Sequence, residues 1–233
     1  MPLNDYRKQA DVVLMPLARR WIDISPNKFS AMSMFCAVLA GLCFYLGGWL
    51  LVGAAVFVFL NALFDAVDGK IARLTKNTTQ RGDFLDHIID RYSDIVILLG
   101  IMYSAYGHVG LGVFAIIGTV MTSYIGTQAE ASGGKRERGG LLGRADRIVI
   151  VMFLPLVQGA MLMYGTLVQG FMLMYGTLVP GFMLMYGIGQ FYGLYLTGWV
   201  LLLLALTGNY TAFRRFQLTW SRIGGKKYRG EKL

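Results

Sequence analysis

Three long stretches of this chain contain no Asp, Glu, Lys or Arg, and they constrain its fold more than any other feature. They run from 29 to 64, from 95 to 129 and from 148 to 213. A helix needs about 20 apolar residues to cross the hydrocarbon core of a bilayer. The chain is 55% hydrophobic and only 15% charged, whereas a soluble domain typically carries about 25% charged residues. The stretches therefore predict an integral membrane protein.

Glycine-rich turns divide the first two stretches into helical hairpins. Gly47-Gly48 interrupts the first, and 107–110 interrupts the second. Because backbone groups in hydrocarbon must be satisfied within their own segment, the spans are helices. We expect an all-α integral membrane protein with six transmembrane helices, over 30–47, 49–69, 86–106, 110–130, 146–167 and 187–208.

An amphipathic helix is predicted before the first span. Its apolar side chains fall on one face of a helical wheel: Tyr6, Ala10, Val13, Leu14, Leu17 and Trp21. We expect it to lie in the membrane interface, and we expect Pro16 to kink or split it. The chain then forms a single membrane domain over 1–233, with an interfacial helix (1–24), a six-helix bundle (25–213) and a basic tail (214–233).

The positive charges indicate the topology. There are 22 Lys+Arg against 13 Asp+Glu, for a formal charge of +9. The cations cluster before the first span, at 70–81, at 135–147 and in the tail, and six spans place all four segments on one side. The positive-inside rule makes that side cytoplasmic, with both termini. Nucleic-acid binding is not expected, because no basic face interleaved with aromatic residues is present.

Two further features have structural interpretations. An 11-residue motif occurs three times over 156–188, and we interpret it as a tandem duplication that lengthens the connection between the last two spans. The alternative is a Met-rich surface for a metal or a partner. Cys36 and Cys43 are seven residues apart, about 10 Å along a helix, which is too far for a disulfide, so we expect packed thiols.

Four aspartates near the second and third spans carry the chemistry. Asp65 and Asp68 are spaced i, i+3 and share one helical face, as do Asp86 and Asp90 at i, i+4. Asp94 continues the second stripe one turn deeper. Converging carboxylates cannot all stay ionised without cations. Oxygen ligands suit Mg²⁺, Mn²⁺ or Ca²⁺, and two such metals about 4 Å apart serve phosphoryl chemistry.

The same segment contains three further candidate site residues and allows two other interpretations. Gly69 and Ala72 are small enough for a phosphate or nucleotide to approach the backbone, and Arg73 can pair with a diphosphate. Two alternatives remain open from spacing alone. One is an Asp–Arg salt-bridge network that closes two helix ends, and the other is a cation relay in an ion-coupled transporter.

From Asp65 to Asp90 the chain reads D-x2-D-G-x2-A-R-x8-G-x3-D-x3-D, which resembles the signature of the CDP-alcohol phosphatidyltransferases. Ser25-Pro26-Asn27 also looks like the motif that precedes the first span in that family. The resemblance implies an enzyme of phospholipid biosynthesis, which transfers a lipid phosphoryl group from a CDP-linked lipid to an alcohol and releases CMP. It also implies a homodimer, and the small-residue faces around Gly110, Gly112 and Gly118 would permit close packing.

The resemblance assigns roles to the signature residues. It implies two divalent cations, Mg²⁺ or Mn²⁺, held by Asp65, Asp68, Asp86 and Asp90. It further implies that Asp90 is the general base for the acceptor hydroxyl. The implied CDP site is lined by Asp65, Gly69, Ala72, Arg73 and Gly82.

Residues 123–147 indicate which alcohol is the acceptor. Arg144 and Arg147, three apart on one helical face, suit a phosphate monoester on the acceptor, whereas the cations over 135–138 are interpreted as membrane anchors. Ser123-Tyr124 with 129–131 and 144–147 resembles the inositol-phosphate branch of the family, but Gly126 stands where that branch often has a basic residue. Glycerol 3-phosphate therefore remains an alternative acceptor, as do serine and a non-phosphorylated polyol. We expect a multi-pass protein of a prokaryotic plasma membrane.

Overall fold

The computed structural model describes residues 7–75, 79–132, 140–174 and 190–223. Within these ranges, seven helices follow in chain order: α1 (Arg7–Arg20), α2 (Pro26–Leu46), α3 (Leu50–Leu74), α4 (Gln80–Tyr103), α5 (Val109–Ala131), α6 (Arg144–Met174) and α7 (Leu196–Ile223). A two-stranded antiparallel hairpin, β1 (Gln190–Phe191) and β2 (Leu194–Tyr195), precedes α7. Apart from this hairpin, the described ranges confirm the predicted all-helical architecture.

Five helices of the described chain are long and apolar enough to cross a membrane: Pro26–Leu46, Leu50–Leu74, Val109–Ala131, Arg144–Leu167 and Leu196–Arg222. The remaining long helix, α4, has 24 residues. Its first half carries two aspartates of the signature, Asp86 and Asp90, together with Arg91, and these charges lower its hydropathy. Six spans are therefore not established by apolarity alone.

The last helix departs most from the prediction of a span over 187–208. It begins at Leu196, because the β1–β2 hairpin takes the preceding residues through a tight turn at Tyr192 and Gly193, both with positive φ. It also continues to Ile223, so the start of the predicted tail over 214–233 is helical. Residues 224–233 lie outside the described residues.

Helix α1 packs against α3 through part of its apolar face. Leu14, Leu17 and Trp21 contact a small core with Val67 and Ile71 of α3. Tyr6 and the side chains of Ala10 and Val13 lie outside the described residues. The helix is not split at Pro16, since α1 runs through this residue unbroken. Pro16 is on the exposed side, where water can bond the carbonyl that its missing N–H leaves free.

Helices α2 and α4 cross at two glycines. A Cβ built on Gly100 would overlap the carbonyl oxygen and Cα of Gly41. A Cβ on Gly41 would lie 2.7 Å from the carbonyl oxygen of Val96. Backbones can approach this closely only without side chains between them, and the contact fixes how α4 lies against α2.

Replacing Gly100 with Ala is expected to destabilise the fold by about 1–3 kcal/mol, because the added methyl group must push two backbones apart. Thermal unfolding of the purified protein in lipid nanodiscs measures the effect. Gly159→Ala in α6 is the matched control, since the nearest atoms to its Cβ would be 3.9 Å away, on Leu51. Equal unfolding temperatures for the two variants would contradict the close crossing.

Two glycines of α5 pack closely against other helices of the same chain. A Cβ on Gly118 would lie 2.7 Å from the backbone nitrogen of Asn209 in α7, and one on Gly112 would overlap Met102. One turn along α5, Thr122 Oγ1 donates a 2.9 Å hydrogen bond to the carbonyl of Gly208. The close packing expected at Gly112 and Gly118 therefore occurs within the chain, against Met102 and α7.

The prediction for the two cysteines is confirmed, whereas the repeat lies only partly within the described residues. Cys36 and Cys43 are free and buried, as predicted. The first copy of the repeat, 156–166, lies within α6, which extends to Met174. The interpretation of the repeat as a lengthened connection between spans stays a prediction. The third copy, 178–188, lies outside the described residues.

Candidate active site

Three of the four predicted metal ligands converge. Asp65 and Asp68 lie on one face near the end of α3, and Asp86 lies two turns into α4. Carboxylate oxygens of these three residues all lie within 4.8 Å of one another. The i, i+3 spacing and the short α3–α4 connection therefore produce the cluster that the sequence predicted.

Asp68 is the most buried member of the cluster, at 5% exposed. Ser30 Oγ of α2 donates a 2.8 Å hydrogen bond to its Oδ2. Helix α2 starts at Pro26, a residue suited to the first helical position, which places Ser30 one turn in. Ser30 was not predicted as a site residue, and its only signal in the sequence is a hydroxyl at the start of an otherwise apolar stretch.

Asp90 joins the group through Arg144. The two terminal nitrogens of that guanidinium contact different carboxylates: Nη1 lies 2.9 Å from Asp65 Oδ2, and Nη2 lies 2.5 Å from Asp90 Oδ1. Asp90 is 7% exposed. A planar guanidinium can bridge two carboxylates in this way, whereas an ammonium could not do so with the same geometry. The first turn of α6 thus contacts the ends of α3 and α4.

A second ion-pair group lies one turn deeper, around Asp94. Its carboxylate is 3.6 Å from Arg147 Nη2 and 3.3 Å from Arg91 Nη1. Arg144 Nε is 3.9 Å from the same carboxylate. Both predicted acceptor-phosphate residues therefore contact aspartates in the described protein. The Asp–Arg network considered from the sequence is present, and it adjoins the candidate metal ligands.

The residues predicted to line a CDP site lie beside the cluster. A Cβ on Gly69 would meet nothing within 4 Å, so the backbone there is open to close approach by a ligand. Ala72 is half-buried and Arg73 is exposed in the following turn of α3. Gly82 is near the start of α4, where its N–H donates to Thr79 Oγ1 at 3.0 Å. Gly82 thus also takes part in capping that helix.

The charge of the site favours cations. Five carboxylates meet three guanidiniums: Asp65, Asp68, Asp86, Asp90 and Asp94 face Arg91, Arg144 and Arg147. The three-oxygen cluster is an all-carboxylate donor set, which suits Mg²⁺ or Mn²⁺ and not a softer metal. The cluster can therefore hold a divalent cation.

Replacing Arg144 with Gln is expected to lower the unfolding temperature of the metal-free protein by several degrees. A loss of about 1–3 kcal/mol follows from leaving the carboxylates of Asp65 and Asp90 without their donor. Added Mg²⁺ should then stabilise the variant more than the wild type, since a bound cation can neutralise the same oxygens. Thermal unfolding with chelator and with Mg²⁺ measures both effects.

Arg147→Gln is the control, because among these carboxylates Arg147 is paired with Asp94 and not with the cluster. Its stabilisation by Mg²⁺ should match that of the wild type. The same Mg²⁺ effect in all three proteins would contradict the role of Arg144 as counter-ion to these carboxylates.

Comparisons with known proteins agree with this geometry. Residues 23–181 match the family described as CDP-alcohol phosphatidyltransferase. The archaetidylinositol phosphate synthase of Pyrococcus horikoshii is 33% identical over 135 residues, which cover 58% of this chain and 71% of that protein. The phosphatidylinositol phosphate synthase of Corynebacterium glutamicum is 30% identical over 153 residues, covering 62% and 69%.

Solved structures of a Mycobacterium tuberculosis phosphatidylinositol phosphate synthase share the fold. Its complex with CDP-DAG has a TM-score of 0.63 at 23% identity, covering 90% of this chain and 94% of that one. Its complex with manganese and citrate has a TM-score of 0.65 at 24% identity, covering 89% of each chain. The likeness extends over nearly all of both chains.

Proposed function

Because the chain belongs to the CDP-alcohol phosphatidyltransferase family, we propose that it transfers the lipid phosphoryl group of a CDP-linked lipid to inositol phosphate and releases CMP. The observation that carries this proposal is the cluster of Asp65, Asp68 and Asp86 oxygens, joined through Arg144 to Asp90. The acceptor follows from the similarity to synthases of phosphatidyl- and archaetidylinositol phosphate. Arginines beside the cluster suit an acceptor that carries a phosphate.

We also propose the placement in the membrane. Helix α4 becomes the sixth span, since 24 residues reach about 36 Å and its charged residues meet other helices at the site. Helix α1 lies in the interface. The ends of α3 and the starts of α4 and α6, with their cations, face the cytoplasm. The chain is then one domain of a prokaryotic plasma membrane, open to a donor whose tails stay in the bilayer.

Four residues are proposed to hold two divalent cations, Mg²⁺ or Mn²⁺: Asp65, Asp68, Asp86 and Asp90. The donor chemistry fits, because these are carboxylates in excess over the nearby cations. When bound, the cations would neutralise the diphosphate of the donor and stabilise the charge that develops on CMP. Ser30 holds the Asp68 carboxylate in place.

Side chains of the protein carry out the proton transfer and bind both substrates. Asp90 accepts the proton of the acceptor hydroxyl, whose oxygen forms a bond to the lipid-linked phosphorus. The bond from that phosphorus to the bridging oxygen breaks, and CMP leaves with the electron pair. The CDP moiety lies along the end of α3, where Gly69 and Ala72 leave room and Arg73 pairs with a phosphate; Gly82 closes the site from α4. Arg144 and Arg147 bind the acceptor phosphate.

Two alternatives and an assembly remain to be tested. Glycerol 3-phosphate is the second candidate acceptor, because it also carries a phosphate and free hydroxyls. An ion-coupled transporter would use the same aspartates without any CMP. We further propose a homodimer, as the family resemblance implies, with an interface outside the α5 glycines that the chain fills itself.

A panel of acceptors tests the proposal directly. The purified protein in lipid nanodiscs receives a CDP-linked lipid, Mg²⁺ and one of four compounds: inositol phosphate, glycerol 3-phosphate, inositol or serine. We expect CMP release with inositol phosphate at a rate at least tenfold above the other three. A higher rate with glycerol 3-phosphate would reassign the acceptor. Asp-dependent cation uptake into vesicles, with no CMP from any mixture, would favour the transporter.

A further inference from the structure

A small cavity lies inside the bundle beneath the Asp94–Arg147 ion pair. It has a volume of about 30 Å³ and is bounded by residues from α3, α4, α5, α6 and α7. Its polar members are Asn61, Asp94, Thr119 and Arg147, and the rest of its wall is aliphatic. A volume of this size has room for about two water-sized groups. Asp94, which lines the cavity, is one helical turn from Asp90, the proposed general base.

Thr119 is the unusual member of this wall. It is 2% exposed, and its hydroxyl has no hydrogen-bond partner among the described residues. Helical threonines commonly donate to a carbonyl of the preceding turn, and Thr207 and Thr211 of α7 do so. A buried hydroxyl without a partner is unfavourable for the protein alone. Its presence at a cavity points to a ligand that supplies the missing partner.

The other polar groups of the cavity wall are able to form hydrogen bonds with hydroxyl groups of a ligand. Both hydrogen bonds from the Asn61 amide nitrogen go to Ser33, at 2.9 and 2.8 Å, so the side chain is held in place and its carbonyl oxygen remains an acceptor. Asp94 adds acceptors and Arg147 adds donors. Thr119 can donate and accept. A polyol offers both functions at each hydroxyl, whereas an apolar ligand would leave these groups unsatisfied.

We propose that this cavity receives a hydroxyl of the polyol part of the acceptor, and that Thr119 is the residue that distinguishes a polyol phosphate with many hydroxyls from a shorter one. The inference rests on the proposed function. The four residues from Asp90 to Asp94 rise about 6 Å along the helix, a length that a ring polyol spans and glycerol barely does. With its reacting hydroxyl at Asp90, a ring acceptor places another hydroxyl at the cavity.

Thr119→Val tests the proposal, because it removes the hydroxyl and keeps the shape. The unfolding temperature should be unchanged or higher, since an unpartnered hydroxyl is lost. The KM for inositol phosphate should rise about tenfold, as expected for one lost hydrogen bond. The kcat, the KM for the CDP-lipid and the KM for glycerol 3-phosphate should stay within twofold. Thr119→Ser, which keeps the hydroxyl, should retain the wild-type KM for inositol phosphate.

Thr122→Val is the matched control on the same helix. Its hydroxyl already bonds the Gly208 carbonyl of α7, so its loss should lower the unfolding temperature and leave the KM for inositol phosphate unchanged. An unchanged KM in Thr119→Val, with active wild type, would overturn the cavity assignment and leave the proposed function standing. Absence of CMP release by the wild type with every acceptor would overturn both.

Discussion

Asp90→Asn is expected to lower kcat for CMP release by about 10²–10⁴-fold, the usual contribution of a positioned acid or base. Asn has nearly the same shape as Asp but cannot take the proton of the acceptor hydroxyl. The Asp90 carboxylate is buried and 2.5 Å from Arg144 Nη2, so no bulk water replaces its function. The measurement is CMP release with saturating CDP-lipid, acceptor and Mg²⁺, followed by chromatography of the nucleotide.

The same variant should still fold and bind CDP. Arg144 keeps its 2.9 Å contact with Asp65, and the three-oxygen cluster does not include Asp90. Asp83→Asn is the matched control, since it is an exposed aspartate on the same helix and should release CMP at the wild-type rate. Substantial CMP release by Asp90→Asn would show that another group is the base.

Asp68→Asn is expected to lower activity at least 100-fold at millimolar Mg²⁺. Substituting partners that merely orient metal ligands already costs about 10–100-fold in affinity or activity, and Asp68 is proposed as a ligand itself. Its Oδ2 accepts from Ser30, a bond that the Asn oxygen can keep, so the fold should survive. Excess metal should restore part of the activity, because the defect lies in binding.

Direct Mn²⁺ binding separates this defect from a general loss of function. Electron paramagnetic resonance counts free Mn²⁺ in a titration of the lipid-embedded protein, without substrates. Asp68→Asn should bind Mn²⁺ at least tenfold more weakly than wild type, whereas Asp23→Asn, an exposed aspartate before α2, should bind it equally. Equal affinity in all three proteins would remove Asp68 from the set of metal ligands.

The carboxylate cluster was predictable because its causes are local. The i, i+3 spacing of Asp65 and Asp68 fixes their common face, and the short link from α3 to α4 brings Asp86 close. Ser30 and Arg144 contact these residues from 38 and 79 positions away. No periodicity relates such positions, so the hydrogen bond from Ser30 and the bridge through Arg144 required the three-dimensional structure.

The ends of the helices were likewise predictable where their cause is local and not where it is long-range. Glycines marked both hairpin turns: Gly47 and Gly48 adopt positive φ there, and a Cβ on Gly107 would overlap the carbonyl oxygen of Ile101. The start of α7 was placed too early, since apolar residues before Leu196 gave no sign of the β1–β2 hairpin. In its extension to Ile223 the helix makes a long-range contact, in which Arg215 Nη1 donates to the Thr122 carbonyl at 2.7 Å. Apolar patterning alone does not report such contacts.

The central claim is that the phosphorus next to the lipid in the donor passes to the acceptor and CMP leaves. Mass spectrometry of the lipid product, together with quantification of CMP from the same reaction, measures this directly. With wild-type protein, CDP-lipid, Mg²⁺ and inositol phosphate, we expect one lipid-linked inositol phosphate for each CMP. CMP formed with only phosphatidic-type lipid would indicate hydrolysis, and a reaction that yields neither product would contradict the account.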